Sequence, residues 1–357
     1  MNNGTSKSAI FITGATGLVG SYLLKILLKN GRKVFALARS KAEKSAKDRV
    51  VEVLNFWDNE VYPKYGKNLI VFDGDITEDN LGLNEKGLTR LKNEVEEIFH
   101  CAASIAFNWP LDKMRQLNVE GTRKILDFAL TCPFLEKVNH LSTAYVCGDH
   151  KGAFSENDLD VGQKFNTTYE QSKFEAEKLI ADYRNKGLWI DIFRPPVIAG
   201  ESISGKTFRF QGFYQLLHIC SLEIFETLPG KNILMNLVPI DYLCESITKI
   251  AANTKEKNKN YHPFDPNPVP LEEVLSLYSV LKKVRKPRLV TPDEFAKTDI
   301  TVIQANILRF NINSFAAGVI LDSRRTMAAL KNMGFEFPKL NEKVLTRLMR
   351  FYKDKKS

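Results

Sequence analysis

The stretch Ile10-Phe-Ile-Thr-Gly14-Ala-Thr-Gly17-Leu-Val-Gly20-Ser21 decides the fold of this 357-residue chain. Apolar and β-favouring residues run into glycines spaced three apart, and an apolar helical pattern follows at once. This order predicts a strand, a tight turn and a helix start, where backbone N–H groups and the helix dipole face a pyrophosphate. Gly14 would allow the turn, Gly17 the close approach of the phosphate and Gly20 the packing of helix on strand. The residues expected to contact a dinucleotide here are Gly14, Thr16, Gly17, Leu18, Val19 and Gly20.

Apolar runs typical of strands alternate with helical patterns through the first 200 residues. The predicted strands are 8–13, 33–38, 69–72, 96–101, 137–142 and 188–193, and the predicted helices include 18–30, 111–131 and 168–186. Such alternation is typical of parallel strands joined by crossover helices. We therefore predict an α/β fold: a Rossmann-type doubly wound parallel sheet with a smaller, mostly helical C-terminal substrate lobe.

The net charge of +9 is concentrated where a phosphate-rich cofactor would bind. Residues 1–50 carry ten lysines and arginines against two acidic residues. No basic stripe with interleaved aromatics follows, so we expect no nucleic-acid partner. Residues 8–28 superficially resemble a signal peptide or a membrane span, but the glycine loop explains the same residues better.

The cysteines and histidines form no pattern typical of a bound metal or a disulfide. The five cysteines are scattered without a CxxC pair, which indicates buried free thiols in a reducing compartment, and we expect the protein to be cytoplasmic. Cys101, Cys147 and Cys220 could be proposed as acyl-accepting nucleophiles, but no histidine is placed by the sequence to activate them. The five histidines show no ligand spacing, so no metal site is expected.

The second predicted strand ends in Arg39, where a Rossmann fold contacts the ribose of its cofactor. A guanidinium there can pair with a 2′-phosphate, and Arg49 lies nearby, so NADP(H) is favoured over NAD(H); an ordinary solvated basic loop is the alternative. After the third strand, Asp75 would bond the adenine amine and Ile76 would pack against its ring, although Asp75 fits a plain turn equally well. The cofactor would cross the sheet edge at two small residues that follow the fourth strand, Ala102 and Ala103.

After residue 200 the strand and helix patterns no longer alternate, and this change sets the predicted domains. We expect residues 1–200 to form an NADP-binding Rossmann domain, with 236–255 packing back onto it. Residues 201–235 and 256–357 would form a substrate-binding lobe, whose aromatic-rich stretch 208–225 is either core or the wall of a hydrophobic substrate pocket. The amphipathic tail helix 340–352 is expected to dock on the protein's own body, with contact to a membrane surface as the alternative.

Tyr169 and Lys173 are four residues apart on a predicted helix and therefore share one face. A nearby ammonium lowers the pKa of a phenol, which makes it a usable proton donor near neutrality. Lys173 would also bond the nicotinamide ribose. Thr143 follows the fifth predicted strand, where its hydroxyl would hold a carbonyl oxygen that gains charge as hydride arrives. The set predicts a carbonyl reductase, although any single YxxxK spacing also occurs by chance.

Taken together, these motifs resemble the extended short-chain dehydrogenase/reductase family over about residues 8–250. Within that family the chain is most similar to thioester reductases, namely the reductase domain of carboxylic acid reductases and the Rossmann part of fatty acyl-CoA reductases. The motifs that carry the resemblance to the extended family are the glycine loop, Asn118-Val-Glu-Gly-Thr122, Leu141-Ser-Thr-Ala-Tyr-Val146, Tyr169 with Lys173, Arg194-Pro195 and Val238-Pro-Ile-Asp241. The resemblance to thioester reductases rests on Thr13-Gly-Ala-Thr-Gly-Leu-Val-Gly-Ser21, on Arg39 followed by Arg49, on His100-Cys-Ala-Ala103 and on Pro110-Leu111 with Asn118-Val-Glu-Gly-Thr122.

The resemblance implies a catalytic trio of Thr143, Tyr169 and Lys173. It also implies that Asn118 kinks its helix and supports a water relay to Lys173. The product would be an aldehyde, or an alcohol after a second hydride transfer. The expected substrate is an acyl thioester or another hydrophobic carbonyl.

For the cofactor, the resemblance implies that Arg39 and Arg49 meet the 2′-phosphate and that Pro196 and Ile198 border the nicotinamide. The chain contains no adenylation or carrier domain, so a thioester would arrive on coenzyme A or on a separate acyl carrier protein. Many relatives pair through two helices, so the resemblance also implies a homodimer.

Two other functions use the same sequence features. A nucleotide-sugar epimerase or dehydratase would employ the same Thr–Tyr–Lys apparatus with tightly held NAD, but Arg39 and the apolar stretch 208–225 count against it. A non-catalytic NADP-sensing interaction protein would not need the tyrosine or the lysine, and here the trio is complete.

Overall fold

The computed structural model describes residues 8–106, 108–309 and 319–356, and these form two compact units. The first comprises the described parts of Met1–Thr143, together with Gln171–Arg194 and Ile247–Tyr261. The second comprises Ala144–Glu170, Pro195–Ser246 and the described parts of His262–Ser357. The predicted domains also interleave, with 236–255 assigned to the first domain, but the units differ from them in bounds: Ala144–Glu170 belongs to the second unit, and the returning segment is Ile247–Tyr261.

Within the described residues, seven parallel strands form the sheet of the first unit. They are β1 (Ala9–Thr13), β2 (Val34–Ala38), β3 (Leu69–Asp73), β4 (Val95–His100), β5 (Lys137–Leu141), β6 (Ile190–Phe193) and β7 (Asn260–Tyr261). Their spatial order is β7-β6-β5-β4-β1-β2-β3, so the direction of strand addition reverses between β1 and β4. In doubly wound sheets a ligand binds at the carboxyl ends of the strands beside this reversal.

The helices alternate with these strands as predicted, and they continue through the second unit. In chain order they are α1 (Leu18–Lys29), α2 (Ala46–Trp57), α3 (Val61–Tyr65), α4 (Glu85–Glu94), α5 (Leu111–Arg115), α6 (Gly121–Leu130), α7 (Thr168–Asn185), α8 (Phe213–Ser221), α9 (Ile240–Asn253), α10 (Leu271–Lys282), α11 (Pro292–Phe295), α12 (Val302–Arg309), α13 (Arg324–Asn332) and α14 (Glu342–Lys356). A π-helical turn, Gln116–Glu120, joins α5 to α6.

The central strands are buried on both faces, which explains their continuous apolar sequences. Phe11 of β1 is fully buried and meets Phe128 of α6 edge to face, with ring centroids 5.7 Å apart. It pairs in register with Phe35 of β2 and Ile98 of β4. This core fixes the carboxyl ends of the strands, from which the candidate site is built.

The second unit has its own core, formed largely by α8, α10 and α14. The apolar side of α14 is buried in this core through Val344, Leu345, Leu348, Met349 and Tyr352. The helix therefore docks on the protein's own body. The apolar side that contact with a membrane surface would require is buried in this core. Short strands that the prediction of a mostly helical lobe omitted also occur here, at Thr227–Pro229, Leu234–Met235, Val269–Pro270, Arg288–Val290 and Val319–Leu321.

Candidate active site

The loop after β1 is too crowded for side chains. Gly14 has a φ of +71°, and a Cβ there would lie 2.7 Å from backbone atoms of Cys101 and Ala102. A Cβ on Gly20 would lie 2.3 Å from the carbonyl oxygen of Gly14, so α1 approaches the loop backbone closely. Gly17 is the N-cap of α1 and offers no side-chain cap, so a bound phosphate can satisfy the positive end of this helix. The loop thus fits the pyrophosphate of a dinucleotide.

The other loop residues that were predicted to contact the dinucleotide differ in their exposure to solvent. Thr16 and Leu18 are partly exposed, whereas Val19 is buried. At the neighbouring strand end Ala102 is partly exposed and Ala103 is exposed, and the Ala102 N–H donates to the Thr13 hydroxyl (3.3 Å). This hydrogen bond joins the carboxyl ends of β1 and β4 next to the glycine loop.

At the ends of β2 and β3, two residues for which separate roles were predicted form an ion pair. Arg39 Nη1 donates to Asp75 Oδ2 (3.0 Å), and Arg49 Nη1 donates to the carbonyl oxygen of Arg39. Asp75 Oδ1 also accepts from the N–H and the hydroxyl of Thr77 (both 2.9 Å), as a turn residue would. Burial raises the pKa of Asp75, but the bonds from Thr77 and Arg39 outweigh it and the net pKa is lowered. Asp75 is thus ionised and pairs with the exposed Arg39 guanidinium.

The sequence reasoning missed two other polar groups at this corner. Ser40 donates to Asp73 at the end of β3 through both its N–H (2.9 Å) and its hydroxyl. The available signal was a carboxylate at the end of the third strand, in register with Ala38, the residue before Arg39. Ile76 is buried in the core, where a Cβ on Gly121 would come within 2.7 Å of its Cδ1, so its assignment to the adenine stays a prediction.

Asn118 lies in the π-helical turn and joins two segments of the site. Its side chain accepts from the Ser104 N–H (2.7 Å) and donates to the Ser104 carbonyl (3.0 Å) and to the Ser172 hydroxyl (2.9 Å). The π turn is the irregularity that the resemblance implied for this helix, and such turns are frequent at functional sites. Because Ser172 precedes Lys173, Asn118 anchors α7 to the loop after β4. A water relay to Lys173 stays a prediction.

Lys173 is buried at the end of β5. Its Nζ donates to the Leu141 carbonyl oxygen (2.8 Å) and lies 3.1 Å from His140 Nε2. Burial lowers its pKa to about 8, against the opposing effect of Glu177 and, more weakly, Cys101. Tyr169 is half-buried in the first turn of α7, four residues before Lys173. The phenol and the ammonium therefore share one helical face, as predicted.

Thr143 is buried directly after β5, and its neighbour Ser142 joins a charged cluster that the sequence reasoning missed. Ser142 Oγ donates to Glu177 Oε1 (2.5 Å), and Arg194 donates to both oxygens of Glu177, with a shortest distance of 2.7 Å. The side chains of this ion pair are only 0% and 1% exposed. Glu177 lies one turn after Lys173, and that spacing was the signal that could have found it.

Pro196 and Ile198 belong to the second unit, where Pro196 is buried and Ile198 is partly exposed. The strand Val197–Ala199 pairs in parallel with Leu237–Pro239. Their assignment to the nicotinamide stays a prediction.

Burial disfavours the reactive thiolate form of three of the cysteines. The five cysteines, all of them among the described residues, form no disulfide bond. Burial raises the pKa of Cys101 and of Cys132 to about 12 and also raises that of Cys220. In the described part of the chain, no three His, Cys, Asp or Glu side chains are grouped so that they could hold a metal ion. Among the same residues no helix is both long and apolar enough to cross a membrane.

Comparison with known proteins gives a consistent set of relatives. Residues 12–247 match the family described as "Male sterility protein". The aldehyde reductase lnbA of Aspergillus flavus is 28% identical over 275 residues, which are 72% of this chain and 26% of that protein. The chain thus spans about a quarter of the length of this curated relative.

Solved structures of reductase domains have the same fold. The terminal R domain from the myxalamid PKS-NRPS biosynthetic pathway matches with a TM-score of 0.84 and 26% identity, covering 99% of this chain and 92% of that chain. A thiolation-reductase di-domain from an archaeal non-ribosomal peptide synthetase matches with a TM-score of 0.79 and 21% identity, covering 98% and 76%. These likenesses agree with the Rossmann-type α/β fold that the sequence predicts.

Proposed function

We propose that this chain, which belongs to the Male sterility protein family of the extended short-chain dehydrogenases/reductases, is an NADPH-dependent reductase of acyl thioesters. The resemblance to thioester reductases that the sequence predicts is confirmed by these matches. The observation that carries the proposal is Lys173, buried at the carboxyl edge of the sheet and one turn after Tyr169 on the same helix. The two residues are one turn apart on α7 and so share a face of that helix, and Lys173 itself lies at the edge where this fold binds its ligands.

The glycine loop, Arg39 and Arg49 would hold the cofactor, which supplies the hydride when it is bound. Tyr169 then donates its proton to the carbonyl oxygen of the thioester, and the Thr143 hydroxyl stabilises the charge that develops there. The Lys173 ammonium favours the ionised phenol that is left after the transfer. The product is a hemithioacetal, whose C–S bond breaks to give an aldehyde and a free thiol. A second hydride and proton would convert the aldehyde to the alcohol.

The choice of NADPH over NADH rests on Arg39 and Arg49, which follow β2. The Arg39 side chain is 63% exposed, and Asp75 and the Arg49 contact to its backbone orient the segment. An oriented, exposed guanidinium suits a bidentate bond to a 2′-phosphate, which NADH lacks. An acid in this place would instead favour the free 2′-hydroxyl.

The substrate class is inferred from the relatives. The matched structures include a terminal reductase domain and a thiolation-reductase di-domain, in which a reductase is joined to a thiolation domain. We propose that the acyl group is presented as a thioester of phosphopantetheine, on an acyl carrier protein or on coenzyme A. A hydrophobic acyl chain would suit the apolar stretch 208–225.

The test is a screen of NADPH consumption, followed by absorbance, with acyl-CoA, acyl carrier protein thioesters, aldehydes and ketones. We expect turnover with thioesters and release of one thiol per aldehyde formed. The variant Tyr169→Phe should lose turnover by about a hundredfold or more while cofactor affinity changes little. Turnover of ketones or UDP-sugars alone would contradict the thioester assignment. A lack of turnover across the whole panel, with NADPH still bound, would favour a sensor.

A further inference from the structure

Two buried histidines lie beneath Lys173, and the mechanism above gives them no role. His100 ends β4, His140 lies in β5, and the two residues are paired in register. Each is 1% exposed, and their ring centroids are 5.2 Å apart. The inference drawn from them rests on the proposed function, in which Lys173 is the catalytic lysine.

The contact between His140 and Lys173 fixes the state of the imidazole. Its Nε2 lies 3.1 Å from Lys173 Nζ, and an ammonium can only donate, so Nε2 must be the acceptor. The proton of the neutral ring is then on Nδ1. That atom is buried and has no hydrogen-bond partner among the described residues. An unpaired buried donor costs free energy, so the bond to Lys173 is the interaction that explains a polar ring at this position.

His100 is held neutral on the other side of the pair. Its Nδ1 lies 2.8 Å from the Thr13 hydroxyl and its Nε2 lies 3.1 Å from the Thr122 hydroxyl. Burial, and then Lys173, lower its pKa to about 3. Burial, followed by Lys173, His100 and Arg184, also lowers the pKa of His140 well below its usual value. Neither ring therefore adds positive charge beside the ammonium.

The ammonium of Lys173 has three N–H groups, and two of them are used beneath the site. One donates to the Leu141 carbonyl and one to His140, and within the described residues the third has no partner. Because the Leu141 carbonyl oxygen and His140 Nε2 are fixed in position, the two bonds to them also fix the direction in which the third N–H points. The titratable groups that interact electrostatically with Lys173 come from three elements and are His140 of β5, His100 of β4, Cys101 after β4 and Glu177 of α7. Tyr169 lies one turn before Lys173 on α7.

We propose that His140 is a positioning residue for Lys173, because its Nε2 accepts one ammonium N–H and, together with Leu141, aims the remaining one. The same contact also stabilises the ammonium form of Lys173 over the neutral amine, because an acceptor bonds the charged form of a lysine. Loss of the acceptor should lower kcat and move the alkaline limb of the pH profile, which is expected near 8, toward lower pH. Cofactor binding should change less than kcat.

The test compares three variants that differ in where they place an acceptor. A glutamine amide reaches the position of Nε2, an asparagine amide reaches only that of Nδ1, and leucine has no acceptor. We expect His140→Leu and His140→Asn to lose about tenfold in kcat, with an alkaline limb displaced by half a pH unit or more, and His140→Gln to restore both. Equal losses in all three variants with an unmoved limb would overturn the proposal and leave a purely structural ring.

A second measurement needs no substrate and so separates this proposal from the proposed function. Nitrogen NMR of the ¹⁵N-histidine-labelled protein, assigned by comparison with His140→Gln, reports the tautomer of His140. We expect a neutral ring protonated at Nδ1, whose Nε2 resonance shifts as Lys173 titrates near pH 8 and stays constant in Lys173→Met. An Nε2-protonated ring, or a resonance that does not respond, would contradict the contact. If the spectra agree and no thioester turns over, only the proposed function fails.

Discussion

Two ion pairs stand at the carboxyl edge of the same sheet and differ in their contact with water. Arg194 after β6 and Glu177 of α7 are 0% and 1% exposed, whereas Arg39 after β2 and Asp75 after β3 are 63% and 22% exposed. The buried pair also binds Ser142, the residue before Thr143, and lies one turn from Lys173. Water screens the exposed pair, which can therefore exchange its partner for a phosphate, while the buried pair is fixed. One corner is suited to binding and the other to holding catalytic groups in place.

The largest effect on stability should follow from opening the buried pair. Arg194→Met leaves the Glu177 carboxylate buried without its partner, and we expect a loss of about 3–5 kcal/mol in the free energy of unfolding. Urea denaturation followed by circular dichroism measures this loss. The double variant Arg194→Met/Glu177→Met removes both charges and should recover much of it. A single variant as stable as the double one would mean that the pair is not desolvated as described.

The next effect comes from Lys173, whose pKa is about 8 in the folded protein against an ordinary value of 10.5. Between these values the unfolded chain binds more protons than the folded one, so Lys173 makes the protein more stable as pH rises from 8 to 10.5. Below pH 8 both states are protonated and this dependence disappears. The stability of the wild type relative to Lys173→Met should therefore rise across that window, by as much as about 3 kcal/mol. A difference independent of pH would show that Lys173 is not desolvated.

The parts of this picture that the sequence predicted are those with a local pattern. Glycine spacing and alternating apolar runs predicted β1 to β6, α1 and α7 closely, since each depends on a few neighbouring residues. The helices α2 and α4 were missed, because their exposed faces are strongly charged and little of each is buried. His140 and Glu177 were missed for another reason. Their roles depend on contacts between β5, β6 and α7 that the sequence alone does not give. The spacing of Glu177 one turn after Lys173 indicates only that the two share a face of α7.

At the exposed corner, Arg39→Ala should weaken NADPH binding by about tenfold to a hundredfold, the range expected for a hydrogen bond between charged groups. NADH affinity should change little, because NADH has no 2′-phosphate. Fluorescence titration with each cofactor measures both affinities. Lys44→Ala is the matched control, since Lys44 is an exposed cation in the same segment that is paired with Glu52. Equal losses for NADPH and NADH would exclude a role for Arg39 in the choice between them.

The smallest effect should follow from opening the exposed pair. Asp75→Asn keeps an Oδ1 that can accept from Thr77, so the turn persists and only the charge facing Arg39 is lost. We expect the free energy of unfolding to fall by less than about 1 kcal/mol, and by less still in 1 M salt, where screening acts over about 3 Å. Glu52→Gln, which removes the partner of Lys44, should behave alike. A loss as large as that from Arg194→Met would mean that the exposed corner is held as rigidly as the buried one, and that a guanidinium so fixed is not free to turn toward a phosphate.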